Sequence, residues 1–143
     1  MTSIAQSSNI SDTSVDYLAA FGRVLIAAIF LWSGWHKLGM AHAVIGMIGS
    51  TGLPFPSVGY GVSLAVELGA GTLVLLGWRT RFAAAVLAIF TLATAVIFHN
   101  HLADREQLTN FMKNICMAGG LLQVVVFGGG AVSLDVWLRR RTR

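Results

Sequence analysis

This sequence contains long apolar stretches with few or no charged residues. Three windows contain no Asp, Glu, Lys or Arg: Leu38 to Val66, Phe82 to Ala103 and Asn114 to Leu134. A helix needs about 20 largely apolar residues to cross a bilayer. The pattern therefore predicts an all-α integral membrane protein, a bundle of four spanning helices over residues 17–35, 58–77, 82–98 and 111–128.

The connections between these helices differ in length and polarity. Residues 36–57 form a long link, whose part from Met40 to Gly49 is predicted to be a short interfacial helix. Residues 78–81 make a tight turn, and residues 99–110 form a polar loop. Outside the four-helix domain, which covers residues 17–138, we predict a flexible N-terminal tail (1–16) and a basic C-terminal tail (139–143).

Composition supports a membrane protein and excludes several other classes. Of the 143 residues, 55% are hydrophobic and 11% are charged, whereas a soluble domain carries about a quarter charged residues. A water-soluble bundle is the alternative, but a chain this short cannot hide four apolar helices. The single cysteine excludes a disulfide scaffold. Sixteen glycines suit helices that approach closely in lipid.

The distribution of basic residues predicts the orientation in the membrane. With four spans, both termini and the 78–81 turn share one side, and that side carries six arginines against three cations on the other. By the positive-inside rule both termini face the cytosol, and the 36–57 link is extracytoplasmic. A cleaved signal peptide is the alternative reading of the first helix, because Ala41-His42-Ala43 resembles a cleavage site. The acidic residues before the helix argue against it.

Two charged residues fall inside the predicted spans, where burial is costly. Glu67 lies near the middle of the second helix, on a face that it shares with Ser63 and Gly71 at a spacing of four. Arg23 lies in the first helix, at a level from which an extended side chain could reach Glu67. Lys113, at the mouth of the fourth helix, is the other candidate partner. The alternatives are an ion pair that fixes helix register, a site for an acidic, phenolic or quinone-like ligand, or an Arg23 that snorkels to the interface.

The remaining polar residues suggest helix contacts more than chemistry. Thr91 and Thr94 can hydrogen-bond to a neighbouring helix or to their own backbone, and Asn114 can bond across helices. His99 belongs to an H-x-H pair, but without an accompanying carboxylate no metal site is predicted. No catalytic or nucleotide-binding motif occurs. The arginine-rich tail is expected to anchor the topology at anionic lipid, and nucleic acid is not an expected partner.

Four stretches of the sequence resemble the DoxX family, over nearly all of residues 18–137. The matches are the glycine-arginine pair of the first helix, the Gly-Leu-Pro of the link, the glutamate-glycine pattern of the second helix, and the histidine and lysine-asparagine pattern near the fourth. Two departures are Asn110, where the family often has histidine, and His101-Leu102, where an aromatic pair is common. The matching runs are Gly22-Arg23-Val24-Leu25, Ser33-Gly34-Trp35-His36-Lys37-Leu38, Gly52-Leu53-Pro54, Glu67-Leu68-Gly69-Ala70-Gly71, Phe98-His99-Asn100 and Phe111-Met112-Lys113-Asn114.

This resemblance implies a four-helix bundle of the bacterial inner membrane. Some members of the family serve in quinone-linked or oxidative-stress systems. The implied function is a membrane subunit or accessory protein of such a system, which binds a quinone-like or small anionic ligand inside the bundle. The family's polar positions fall on six residues, which we predict to bind the ligand: Arg23, Lys37, Glu67, His99, Lys113 and Asn114.

Whether the chain is itself an enzyme stays open at this point. It contains no electron carrier, so redox chemistry needs a quinone or a partner protein. One alternative is a non-enzymatic scaffold that recruits a redox partner. Another is a small transporter of an amphipathic compound, which would act as a homo-oligomer because four helices are few. The lipid bilayer is the partner common to all of these readings.

Overall fold

The computed structural model describes residues 12–142, and this part of the chain is helical without strands. We call its four long helices the first to fourth spans, the helix after the first span the linker helix, and the last one the C-terminal helix. Their bounds are Asp12–Gly39, Pro56–Leu76, Thr80–Phe98 and Arg105–Phe127 for the spans, Ala41–Ser50 for the linker helix and Leu134–Arg141 for the C-terminal helix.

The four predicted helices are confirmed, since each span is long and apolar enough to cross a membrane. The first span begins at Asp12, so residues 12–16 of the predicted tail are helical, while residues 1–11 lie outside the described part. The fourth span begins at Arg105, because the Asp104 carboxylate caps it by accepting from the Gln107 N–H at 2.9 Å.

The end of the chain is the main difference from the prediction. Most of the predicted basic tail belongs to the C-terminal helix, whose first turn is capped by the Ser133 hydroxyl. Among these last residues the sequence shows no long apolar run, and the helix has no buried residue. The apolar pattern that indicates spanning helices therefore does not indicate the C-terminal helix.

The third span forms the centre of the bundle. Ala83, Ala84, Leu87 and Ala95 are completely buried and lie on one face at helical spacing. Ala83, Ala84 and Leu87 pack with Ala27, Val74 and Leu121 from the other three spans. Large apolar side chains cover the outside, as at Ile89 and Phe127, which are 70% and 74% exposed. So much exposed apolar surface suits a lipid environment and not water.

The two ends of the bundle are built differently. One end, which we call the basic end, brings together Arg23, the turn at residues 77–79 and the segment from Gly128 to the C-terminal helix. The other, the linker end, carries the linker helix and the loop before the fourth span. Gly77, with φ 70°, allows the close contact at the basic end, because a Cβ there would lie 2.6 Å from Ser133 Cβ.

Candidate functional site

The second span contains a π-helical segment, Ala65–Ala70, between its two α-helical parts. Its wider turn adds a residue to the helix and changes the direction of the side chains that follow. Glu67 lies in this segment and is only 4% exposed. Segments of this kind are frequent at functional sites, and no signal in the sequence indicated this one.

Two side chains of the first span bind one oxygen of the Glu67 carboxylate. Lys37 Nζ donates to Oε1 at 2.5 Å and Ser33 Oγ donates to the same atom at 3.2 Å. Ser33 and Lys37 are four residues apart, so they face the second span together. The other oxygen, Oε2, is buried and has no hydrogen-bond partner among the described residues. The carboxylate is therefore only half satisfied.

Close packing of the first and second spans makes this contact possible. Gly34 lies between Ser33 and Lys37, and a Cβ there would lie 2.7 Å from Leu68 Cδ2 and 3.2 Å from Glu67 Cβ. Tyr60 Oη also donates to the Lys37 carbonyl oxygen at 3.0 Å, which ties the end of the first span to the second. A small residue at position 34 is thus a condition for the Lys37–Glu67 pair.

The suggestion that Arg23 pairs with Glu67 is wrong. Arg23 is 5% exposed and donates through Nη1 to the Gly129 carbonyl and through Nη2 to the Val132 carbonyl, the latter at 2.8 Å. These carbonyls follow the fourth span at the basic end, whereas Glu67 pairs with Lys37 at the other end of the first span. Nη1 and Nη2 therefore find acceptors close by and hold the last segment of the chain, while Nε has no acceptor among the described residues.

The suggestion that Lys113 pairs with Glu67 is also wrong. Lys113 is exposed, and within residues 12–142 its side chain makes no ion pair or hydrogen bond. His99 Nδ1 lies 2.9 Å from Gln107 Oε1, a contact between the end of the third span and the start of the fourth. Asn114 is half-buried, and its side chain makes no hydrogen bond with the rest of the described chain. Of the six predicted residues, the structure joins Lys37 and Glu67 directly.

The sequence analysis did not single out Ser33, which contacts Glu67, or Asp135, which contacts Arg79 and Thr80. Ser33 lies within a matching run of the first helix, but it is not among the six residues predicted to bind the ligand. The carboxylate of Asp135 accepts from the Arg79 N–H at 2.7 Å, the Thr80 N–H at 2.9 Å and Thr80 Oγ1 at 2.7 Å. It thereby caps the third span from a distant part of the chain.

The environment of Asp135 alters its acidity in two opposing ways. Burial raises the pKa of this carboxyl, but the hydrogen bonds from Thr80 and Arg79 and the positive charge of Arg139 lower it. The lowering prevails, so the pKa of Asp135 lies below its ordinary value. The charged form is therefore the one that the fold stabilises.

Metal chemistry finds no support in this part of the chain. Within residues 12–142 no group of three or more His, Cys, Asp or Glu side chains is placed to hold a metal ion.

Trp32 and His36 form a ring contact, with centroids 4.5 Å apart, beside an open pocket of about 570 Å³. This pocket lies on an exposed face of the first span that is also lined by Trp35.

Comparison with known proteins places the chain among bacterial membrane proteins. The DoxX family model matches residues 18–100, and the model of the SURF4 family matches residues 62–140. Inner membrane protein YqjF of Escherichia coli (strain K12) is 34% identical over 122 residues, 83% of this chain and 90% of the relative. Inner membrane protein YphA of the same organism is 32% identical over 123 residues, 82% and 88%. No solved structure matches the chain significantly.

Proposed function

The chain belongs to the DoxX family and is a multi-pass inner-membrane protein, and on that premise we propose that it binds a quinol-type ligand at Glu67 as an accessory or subunit of a quinone-linked redox system. The observation that carries this proposal is the free oxygen Oε2 of Glu67, buried and without a donor among the described residues. A buried acceptor in that state is costly, and a bound ligand would remove the cost.

The chemistry of the two side chains selects the class of ligand. A carboxylate that is paired with a lysine only accepts hydrogen bonds, so the group opposite Oε2 must offer an O–H or N–H. A quinol, phenol or catechol has such a hydroxyl. Lys37 has further protons with which to bind a carbonyl or phenolic oxygen of the same ring. A small anion fits less well, because it would meet the negative charge of Glu67 as well as the positive charge of Lys37.

The surroundings of the site suit a lipophilic ring better than a water-soluble substrate. Gly34 and Leu68 lie beside Glu67, and the outer faces of both spans are apolar. An isoprenoid or alkyl tail would lie along such a surface. The chain itself contains no electron carrier, so electrons would pass between the ligand and a partner protein.

Binding of a short-chain benzoquinol to the purified full chain in detergent tests the proposal. Glu67→Gln replaces one oxygen by an amide that donates, so the ligand hydroxyl loses its acceptor. Loss of a charge-assisted hydrogen bond is worth about 1.5–3 kcal/mol, which corresponds to a roughly 10- to 100-fold weaker affinity.

Glu106→Gln is the matched control, because it removes the same charge from an exposed position at the start of the fourth span. Its affinity for the benzoquinol should equal that of the wild type. Mass spectrometry of the gently purified wild type should also reveal quinone or quinol. Equal binding by wild type and Glu67→Gln would overturn the proposal.

The proposal includes the orientation predicted from the charges, with both termini in the cytosol. Its support is the basic end, where Arg79, Arg81 and the arginines of the C-terminal helix lie together. A C-terminal fusion to a fluorescent protein that folds only in the cytosol should therefore fluoresce. Activity of a C-terminal fusion to a periplasm-dependent phosphatase would contradict this orientation.

A further inference from the structure

A pocket of about 550 Å³ opens at the basic end, between the start of the third span, the end of the fourth and the C-terminal helix. It is separate from Glu67, and its interpretation does not depend on the proposed quinol site. Ligand sites commonly have volumes of about 300–1,000 Å³. The lining residues that matter for its chemistry are Arg79, Arg81, Arg139, Asp135, Phe82 and Phe127.

The pocket has an excess of positive charge. Three arginines and one aspartate line it, which gives a net formal charge of +2. Within residues 12–142 the guanidinium groups of Arg79 and Arg81 make no hydrogen bond or ion pair. Both oxygens of Asp135 are already bound to the Arg79 and Thr80 N–H groups and the Thr80 hydroxyl. The arginines, and not the helix N-terminus, are therefore available for an anion.

Arg81 is held in place beside the glycine that ends the fourth span. A Cβ on Gly128 would lie 3.3 Å from Arg81 Nε, and Gly128 has φ 81°, which a side chain would strain. Because Gly128 leaves this space open, the stem of Arg81 packs against the backbone and its charged group lines the pocket. The cation is positioned by the fold rather than by a counter-charge.

Two exposed phenylalanines give the pocket an apolar wall. Phe82 is 66% exposed and Phe127 is 74% exposed, and they lie in the first turn of the third span and the last turn of the fourth. Both positions are at the level where a spanning helix leaves the hydrocarbon region. A ligand that contacts arginine and phenylalanine at this level must have an anionic head and an apolar body.

We propose that this pocket binds the phosphate group of an anionic phospholipid, whose acyl chains lie along Phe82 and Phe127. Guanidinium groups match phosphate in charge and in hydrogen-bonding geometry. Each arginine near an anionic membrane surface is worth about a fivefold change in affinity. Inorganic phosphate shares this head-group chemistry but lacks the acyl chains that the phenylalanines would contact.

Native mass spectrometry of the full chain in detergent, with added phosphatidylglycerol or phosphatidylcholine, tests the assignment. The wild type should retain phosphatidylglycerol in preference to phosphatidylcholine. Arg81→Gln should weaken retention of phosphatidylglycerol about fivefold. Arg140→Gln is the matched control, since it removes the same charge from the C-terminal helix at a residue that does not line the pocket. Its retention should change clearly less than that of Arg81→Gln, because Arg140 would not contact a lipid bound in the pocket.

Inorganic phosphate provides the arm that separates a lipid site from a free-anion site. It should not displace phosphatidylglycerol, and Phe127→Ser, with the arginines intact, should weaken retention of the lipid. Displacement by inorganic phosphate at a comparable concentration would overturn the lipid assignment. An equal loss in Arg81→Gln and Arg140→Gln would show a diffuse charge effect and would also overturn it, as would equal retention of the two lipids.

Discussion

The two ends of the bundle each bury a charged side chain of a spanning helix, but the two charges are satisfied in different ways. At the basic end, Nη1 and Nη2 of Arg23 donate to the backbone carbonyls of Gly129 and Val132, and its Nε has no partner among the described residues. At the linker end, Glu67 shares one oxygen between Lys37 and Ser33 and leaves the other without a donor among the described residues.

This difference separates a structural role from a binding role. Arg23 contacts carbonyl groups that lie 106 and 109 residues further along the chain. Because these acceptors belong to the protein backbone, the two hydrogen bonds need no ligand. Oε1 of Glu67 is bound by Ser33 and Lys37, two side chains of one helix, and Oε2 stays available to accept a hydrogen bond from a ligand. Substitutions at the basic end should therefore lower stability, whereas substitutions at the linker end should also change what the protein binds.

The largest loss of stability is expected for Arg23→Met. The change removes two charge-assisted hydrogen bonds and leaves the buried Gly129 carbonyl and the part-buried Val132 carbonyl without donors, which should cost about 4 kcal/mol. Unfolding of the purified protein in detergent measures this cost. Arg105→Met, at an exposed position of the fourth span, is the control and should change stability little. A loss below about 1 kcal/mol for Arg23→Met would mean that Arg23 does not hold the C-terminal segment.

Lys37→Met should have the next largest effect, because it leaves the buried Glu67 carboxylate without its counter-charge. Breaking a buried ion pair costs about 3–5 kcal/mol. Since the Lys37 side chain is 24% exposed, we expect the lower end of that range. Adding Glu67→Gln to Lys37→Met removes the unpaired charge and should recover most of the loss. No recovery in the double variant would argue against a direct interaction of the two side chains.

Asp135→Asn should have a smaller effect, which depends on pH. Because the pKa of Asp135 is lowered in the folded protein, its contribution is fully present above the ordinary aspartate value of about 3.9. The contribution is lost as the pH falls through the folded-state pKa. At neutral pH the variant should lose about 1 kcal/mol, typical of a helix cap.

Thermal unfolding of both proteins between about pH 7 and pH 3 measures this dependence, because the contribution of Asp135 begins to fall near the ordinary aspartate value of about 3.9. The wild-type advantage should shrink towards the acid end of the range. Other carboxylates titrate in both proteins, so the difference between the two curves isolates Asp135. A constant difference at all pH values would contradict the role of the charged carboxylate as the cap.

Much of the fold could be predicted because a long apolar run is a strong signal of a spanning helix. The four spans and the helix in the first link follow from where charges are absent. The C-terminal helix could not be predicted in this way, because it has no long apolar run and is held through Asp135, whose contacts with Gly77, Arg79 and Thr80 are distant in the sequence. The same distance hid the contact of Arg23 with Gly129.

The candidate site could be predicted in part. Burial cost singles out Glu67 from the sequence, and the family resemblance adds Lys37. Which cation pairs with Glu67 depends on the rotation of the first span and on the π-helical segment, and neither is encoded in a local pattern. Lys37 looked like a residue of the extracytoplasmic side, yet the first span continues to Gly39 and brings it onto the helix face that meets Glu67.

The smallest expected effect concerns Thr91, which, like Glu67 and Arg23, has a buried polar atom without a hydrogen-bond partner in the described chain. Thr91 is 2% exposed, and its Oγ1 makes no hydrogen bond in the described chain, whereas Thr94 Oγ1 donates to the Thr91 carbonyl at 2.9 Å. Replacing an unsatisfied hydroxyl by a methyl group of the same shape removes a desolvation cost. Thr91→Val should therefore be neutral or stabilise the protein, by up to about 1 kcal/mol.

Thr94→Val is the matched control in the same helix, and loss of its hydrogen bond should cost about 0.5 kcal/mol. Both variants should bind the benzoquinol as the wild type does, since the proposed site is built on Glu67 and Lys37. Unfolding in detergent and benzoquinol titration measure the two quantities separately. If Thr91→Val instead lowered stability or weakened benzoquinol binding, the Thr91 hydroxyl would have a partner in the working protein. The ligand site would then extend from Glu67 in the second span to Thr91 in the third, and the ligand would be the partner of both Glu67 Oε2 and Thr91 Oγ1.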